Sequence, residues 1–272
     1  MIPAPFTYKR ASSVDEALQL AAQGGDDAKF LAGGHSLLPL MKLRLAVPEI
    51  LIDIGRIGEL RYIRDDGSHI AVGALTSHDE MARSGLLGSE LPLLAHAAGQ
   101  VGDPQVRHRG TIGGSLAHAD PAADLPAVIL ALDATLVASG PSGSREIAAG
   151  EFFRGLFESA LRPGELLTEI RIRRPQAAGW SFQKFTKRAI DWAIVGVAVQ
   201  GGSVALVNMG PTPLRASAVE QAMASGAGPR DAAAHAAEGS SPPGDINAGR
   251  GYREHLARVL VARALEESRS RA

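Results

Sequence analysis

The chain has 272 residues, of which 45% are hydrophobic and 21% charged, and its formal net charge is −1. That length suits two or three compact units around separate cores, and the composition is globular rather than disordered. Near-neutrality without a basic stripe gives a nucleic-acid role no electrostatic support, and the absence of cysteine excludes disulfides, cysteine-ligated iron–sulfur clusters, cysteinyl flavin and thiol nucleophiles within the chain.

The start, Met1-Ile2-Pro3-Ala4-Pro5, lacks the charged and apolar segments of a signal peptide. No run approaches the roughly 18 apolar residues of a membrane span. A soluble, cytoplasmic protein is expected.

The first unit, residues 1–55, reads as β-α-β-α-β. Phe6-Thr7-Tyr8 is a short strand, and Ser13-Val14-Asp15-Glu16 fits a capping box. The helix it opens buries Val14, Ala17, Leu18 and Ala21 and stops at Gly24-Gly25. Lys29 to Ala32 is a strand, Leu37 to Leu45 a brief helix with Pro39 in its first turn, and Ile50 to Ile54 a buried strand.

The second unit, residues 56–175, opens with Leu60 to Ile63 and His69 to Leu75 as strands paired around Asp66-Gly67. Ser77-His78-Asp79-Glu80 is a second capping box, and its helix is expected to reach Leu87. Two more helices are expected over Leu91 to Gln100 and Asp124 to Leu132. Thr135 to Ala138 and Ser144 to Ile147 pair across Pro141-Ser142-Gly143, and Leu166 to Arg173 alternates as a closing strand.

The third unit, residues 176–272, starts with a strand over Ser181 to Thr186. Ala193 to Gln200 and Ser203 to Asn208 form a hairpin on Gly201-Gly202. Helices are expected near Val219 to Ala224 and Pro229 to Ala237. The last helix runs from about Tyr252 to Glu267 with Leu256, Val259, Leu260 and Ala264 inward.

Two glycine doublets stand in matching surroundings. The first is Leu31-Ala32-Gly33-Gly34-His35-Ser36-Leu37-Leu38-Pro39; the second is Arg109-Gly110-Thr111-Ile112-Gly113-Gly114-Ser115-Leu116. Glycine lets a backbone approach a ligand closely and reach φ > 0, so successive N–H groups can converge on an anion. Two such loops could grip a pyrophosphate from opposite sides, with Ser36, Thr111 and Ser115 adding hydroxyls. Neither doublet fits the G-x-G-x-x-G or G-x-x-x-x-G-K-[ST] patterns, and singly each reads equally as a tight turn.

Ala32-Gly33-Gly34-His35-Ser36, then Thr111 to Ser115 and Asp124-Leu125-Pro126, resemble the FAD-binding medium subunit of molybdenum hydroxylases, which include aerobic carbon monoxide dehydrogenase and relatives of the xanthine dehydrogenase flavin domain. Gly164 to Ile170, Lys184 to Ala193 and the C-terminal Tyr252 to Leu260 are similar too, so the resemblance covers nearly the whole chain. It implies an α+β fold: two FAD-binding subdomains of the PCMH or vanillyl-alcohol-oxidase type, then a C-terminal three-stranded sheet with helices. It also implies FAD as cofactor, an iron–sulfur small subunit and a molybdenum large subunit as partners, two copies of each subunit, and an external electron acceptor. The alternative is a stand-alone FAD-dependent oxidase or reductase of the same fold.

The resemblance assigns both doublets to the FAD pyrophosphate. His35 would contact pyrophosphate or ribityl chain, pack, or hold flavin covalently, and the family is of the non-covalent kind. His118 and Asp124 would face the cofactor, Asp124 accepting hydroxyl hydrogens; as a plain sequence feature Asp124 is equally a helix N-cap. Leu166 and Leu167 would be apolar walls, Lys184 would sit at the flavin's pyrimidine end or in solvent, and Trp192 would cover the ring. Arg188 and Asp191 are spaced to pair with each other. Arg107-His108-Arg109 holds phosphate or forms a solvated basic turn.

Overall fold

The computed structural model describes residues 2–176 and 179–272. The N-terminal unit contains β1 (Thr7–Arg10), α1 (Val14–Gly24), β2 (Ala28–Leu31), α2 (Leu37–Lys42) and β3 (Ile50–Asp53). Its three strands pair in parallel in the order β1-β3-β2. The Ser13 hydroxyl accepts the Glu16 N–H, as a cap should. The reciprocal half of the expected box is absent: the Glu16 carboxylate turns one residue further back, to Ser12 N and Oγ. Ala17, Ala21, Ile52 and Ile54 form a small core that Leu166 completes from the next unit.

The middle unit runs through β4 (Ile63–Asp65), β5 (His69–Gly73), α3 (His78–Arg83), α4 (Gly85–Glu90), α5 (Pro92–Gly99), α6 (Pro104–Arg109), α7 (Ile112–His118), α8 (Asp124–Ala131), β6 (Thr135–Gly140), β7 (Gly143–Ala148), α9 (Ala149–Phe152), β8 (Phe153–Gly155), β9 (Glu158–Ser159) and β10 (Leu166–Arg173). Strand order is β4-β5-β10-β6-β7, antiparallel throughout. The full capping box at Ser77 and Glu80 is formed. The helix expected to continue to Leu87 instead breaks at Ser84, whose extended backbone ends α3 and whose hydroxyl caps α4 through Leu87 N–H.

A bulge at Thr168 sets the faces of β10. Simple alternation from Leu167 would send Glu169 and Arg171 into the main core. The extra residue shifts the phase, so Leu167, Ile170 and Ile172 enter that core while Leu166 joins the N-terminal one.

The C-terminal unit holds β11 (Trp180–Phe185), β12 (Val195–Gln200), β13 (Ser203–Val207), β14 (Leu214–Arg215), α10 (Ser217–Ala224), α11 (Pro229–Ala233) and α12 (Arg250–Ser270). The three long strands expected are joined by the two-residue β14, in the order β11-β12-β13-β14. The sheet is covered on both faces, and its valine-rich strands read accordingly. Phe182, Ala198, Ala205 and Val207 pack into the middle unit's core beside α5 and α8, whereas Val195, Val197, Val199, Val204 and Leu206 pack on the helices. On α12 the inward residues are Leu256, Ala257, Leu260, Val261, Ala264 and Leu265; Val259 is only half-buried.

Candidate functional site: a cleft bordered by all three units

Residues of all three units line a cleft of about 1140 Å³. Its volume lies just above the range of about 300–1,000 Å³ for small-molecule and cofactor sites. The first glycine loop forms one wall: Leu31, Ala32, Gly33, Gly34, His35, Ser36 and Leu37 all line it. Gly34 has φ +80°, which L residues rarely adopt. Among the described residues, the N–H groups of Gly33, Gly34, His35 and Ser36 donate to no protein acceptor. Ser36 precedes α2 but makes no cap bond with its side chain. His35 Nδ1 lies 3.2 Å from the Gly33 carbonyl oxygen. The loop thus offers the cleft a row of uncommitted donors.

The second doublet is employed differently. It is not a loop but the first turn of α7. Thr111 is the N-cap and accepts the Gly114 N–H at 3.2 Å. The Ile112 N–H donates to Thr76 O at 3.0 Å, Gly113 N–H to Ala74 O at 2.9 Å, and Ser115 N–H to Thr111 O at 3.0 Å. At the cleft, the Ser115 hydroxyl is bonded to nothing among the described residues, and the Thr111 hydroxyl accepts there but donates to none of them. Thr111, Gly113, Gly114, Ser115 and His118 line the cleft. Ile112, expected at the site, does not: it is fully buried in the main core, because a residue at the start of a helix points where helical geometry sends it.

The two segments meet, Gly33 lying against Arg109 and Gly110. A Cβ on Gly33 would fall 1.9 Å from the Arg109 carbonyl oxygen, and one on Gly113 would fall 2.5 Å from Ala74 Cβ. Glycine is therefore demanded at Gly33 by contact with the second segment and at Gly113 by contact with the strand end at Ala74. Arg107, His108 and Arg109 are on α6 and do not line the cleft. Arg107 donates to the carbonyls of Val101 and Gly102 at 3.0 Å each, which fastens the turn instead.

Asp124 lies one residue too far on to cap α8; the N-cap position is Ala123, with no side-chain bond. The Asp124 carboxylate instead forms a buried pair with Lys184 from β11, Nζ to Oδ2 at 2.8 Å. Lys184 also donates to Gln100 O at 3.1 Å, and its side chain is 5% exposed, so it is not a solvent-facing lysine. Asp124 Oδ1 is buried and has no partner among the described residues. Burial raises the Asp124 pKa to about 6, against the opposing pull of Lys184.

Leu166 and Leu167 supply apolar wall. Trp192, with Ile190 and Asp191, forms a lip; Trp192 is 59% exposed. Arg188 and Asp191 make a backbone bond, Asp191 N–H to Arg188 O at 3.0 Å, and no side-chain ion pair among the described residues.

Two cleft residues carry no signal in the sequence pattern. His78 reads only as part of a capping box. It is buried at the cleft, its Nδ1 without a partner among the described residues, and burial, then His35 and Arg107, lower its pKa to about 4. Phe157 sits at the tip of the β8–β9 hairpin with φ +57° and stacks on His118, ring centroids 5.0 Å apart. Burial also lowers the His118 pKa.

A long cleft with anion-directed donors on one wall, an acceptor-only carboxylate oxygen and apolar walls for a ring defines a dinucleotide-cofactor protein, and the residues present fit FAD. Residues 4–175 match the model for the FAD binding domain in molybdopterin dehydrogenase, and residues 180–268 that for the CO dehydrogenase flavoprotein C-terminal domain. The chain belongs to this family of FAD-binding oxidoreductase flavoproteins. It is 42% identical to the carbon monoxide dehydrogenase medium chain of Hydrogenophaga pseudoflava, over 100% of this chain and 99% of that one. It is 41% identical to the 6-hydroxypseudooxynicotine dehydrogenase complex subunit alpha of Paenarthrobacter nicotinovorans, over 100% and 97%. Among solved structures, the carbon monoxide dehydrogenase from Hydrogenophaga pseudoflava that lacks the Mo-pyranopterin moiety superimposes with TM-score 0.95 at 43% identity, over 100% of both chains. No helix among the described residues is long and apolar enough to cross a membrane.

Proposed function

We propose that this chain is the FAD-carrying subunit of a molybdenum hydroxylase, taking electrons from iron–sulfur clusters on a partner subunit and passing them to an external acceptor. The observation that carries this reading is the row of uncommitted N–H groups from Gly33 to Ser36 on the cleft wall. Two copies each of the flavin, iron–sulfur and molybdenum subunits would make the assembly. Bound FAD supplies the junction between one-electron carriers and a two-electron acceptor.

The residues then divide the work. Gly33, Gly34, His35 and Ser36 donate to the pyrophosphate, with the Thr111 and Ser115 hydroxyls facing it from the other side. Backbone donors explain how a nearly neutral chain holds a dianion without an arginine cluster. Asp124 Oδ1 accepts a hydroxyl hydrogen from the ribityl chain or sugar, and Lys184 acts by holding the other oxygen. Leu166 and Leu167 keep water from one side of the cofactor, His118 borders the cleft beside Phe157, and Trp192 covers the ring. The relatives named above act on different substrates by name, which fits substrate recognition lying on another chain.

Purification of the untagged protein from its source tests the reading. Flavin bands overlaid by broad iron–sulfur absorption, with molybdenum in the co-purifying material, are expected. A pure flavin spectrum on a single chain without metal would favour the stand-alone flavoenzyme. Acid precipitation is expected to release all the flavin, which would rule out a covalent bond at His35.

A further inference from the structure

The Trp192 lip belongs to the loop from Thr186 to Ile194, between β11 and β12. Its tip is open, with Ile190 and Trp192 more than half exposed, but its base is fastened at consecutive residues. The Ala193 carbonyl accepts Asn208 Nδ2 at 2.8 Å. The Ile194 carbonyl accepts the guanidinium of Arg253, which is almost wholly buried and pairs with Asp245 at 2.6 Å. The Ile194 N–H donates to Phe185 O at 2.8 Å and closes the loop.

Asn208 has a second attachment. Its backbone N–H donates to Pro121 O at 2.8 Å, in the turn that leads into Asp124. It holds φ +61°, a conformation asparagine tolerates better than most residues. One buried side chain and its own backbone therefore bridge the turn before Asp124 and the base of the Trp192 loop. Ala193 is itself buried, so its carbonyl has no ready substitute donor.

We infer that Asn208 is a positioning residue for the cofactor: with Arg253 it clamps the base of the Trp192 loop and sets that lip relative to the wall that carries Asp124. This rests on the reading of Trp192 as the cover of the flavin ring. Besides the side chains of Lys184 and Trp192, the C-terminal unit then serves the site through backbone carbonyls, without Asn208 itself lining the cleft.

The test uses the full chain in a Trp180→Phe background, which leaves Trp192 as the single tryptophan of the two in the sequence. Asn208→Asp keeps shape and tolerance of positive φ but replaces the donating amide by an acceptor. Asn208→Gly keeps the backbone conformation and removes the side chain, and guards against misfolding caused by the buried charge. Both are expected to lower Trp192 fluorescence anisotropy without FAD and to weaken FAD binding about tenfold in a fluorescence titration. In a Trp192→Ala background with native Trp180, Asn208→Gly is expected to add little further loss of FAD affinity. Unchanged anisotropy in both variants, unchanged FAD affinity despite lower anisotropy, or a full additional loss without Trp192 would each overturn the inference. If Trp192→Ala alone leaves FAD binding untouched, the reading of Trp192 fails, and the clamp still stands or falls on the anisotropy.

Discussion

The first and second glycine segments look alike as letters and differ as structures. Gly33 to Ser36 keep their N–H groups free at the cleft, while Ile112 to Ser115 engage theirs within the protein. The difference lies in the course of the backbone at each doublet. After Gly34 the chain turns through a positive φ before α2 begins. At Gly113 the helix has already begun, and the doublet lets it press on Ala74. A glycine doublet can thus present donors or permit packing, and only the backbone partners tell which.

The strongest way to break this comparison is to add one methyl group to each segment. Gly33→Ala would drive a Cβ into the Arg109 carbonyl and part the two segments. We expect it to cost about 3 kcal/mol of stability and to weaken FAD binding about a hundredfold or more. Gly113→Ala should cost about 1–3 kcal/mol through overpacking against Ala74, yet keep FAD affinity within about threefold when measured well below its melting temperature. Equal loss of FAD in both variants would erase the proposed division of labour.

The seam between the segments also carries a pH signature. His78 packs against Gly110 and feels His35 across the cleft. Its pKa falls from the ordinary 6.5 to about 4 in the folded protein. Between those values the unfolded chain binds a proton that the native protein refuses, so stability is present above pH 6.5 and lost as acid is added. The loss is about 3 kcal/mol by pH 4. Asp124 acts in the opposite sense: its raised pKa makes its contribution most favourable below 3.8 and lost as pH rises through about 6. Subtracting the urea stability of His78→Gln from that of the native chain isolates the histidine, since Asp124 is common to both. A flat difference between pH 4 and 7 would show that His78 titrates normally.

Much of the fold is legible because its signals are local. The Ser77–Glu80 box forms as written, and the hairpin turns on Gly201-Gly202 with Gln200 paired to Ser203. The break at Ser84 is hidden because a serine inside an apolar pattern looks tolerable until its hydroxyl finds the next turn's N–H. The site is legible through motif similarity more than through pattern. Nothing local indicates that Lys184 reaches Asp124, that Gly33 abuts Arg109, or that Asn208 bridges Pro121 and Ala193, since each contact joins distant parts of the chain. Ile112 misleads for the opposite reason: motif membership places it at the site, and helical geometry turns it inward.

A gentler substitution in the first segment sharpens the contrast further. Gly34→Ala meets the flexible side chains of Leu38, at 2.9 Å, and Leu31, at 3.3 Å, but must hold φ +80°. The strain should re-aim the neighbouring N–H groups and weaken FAD binding about tenfold.

The smallest effect should come from Thr111→Ala. It removes the cap on α7 and leaves the Gly114 N–H without its acceptor. The expected cost is about 1 kcal/mol of folding stability, seen as a lower urea midpoint at unchanged slope. FAD affinity should fall less than in Gly34→Ala, because the N–H groups of the first segment are untouched. A loss of FAD larger than that of Gly34→Ala would place the main anion contact on the second segment and reverse the order of the two.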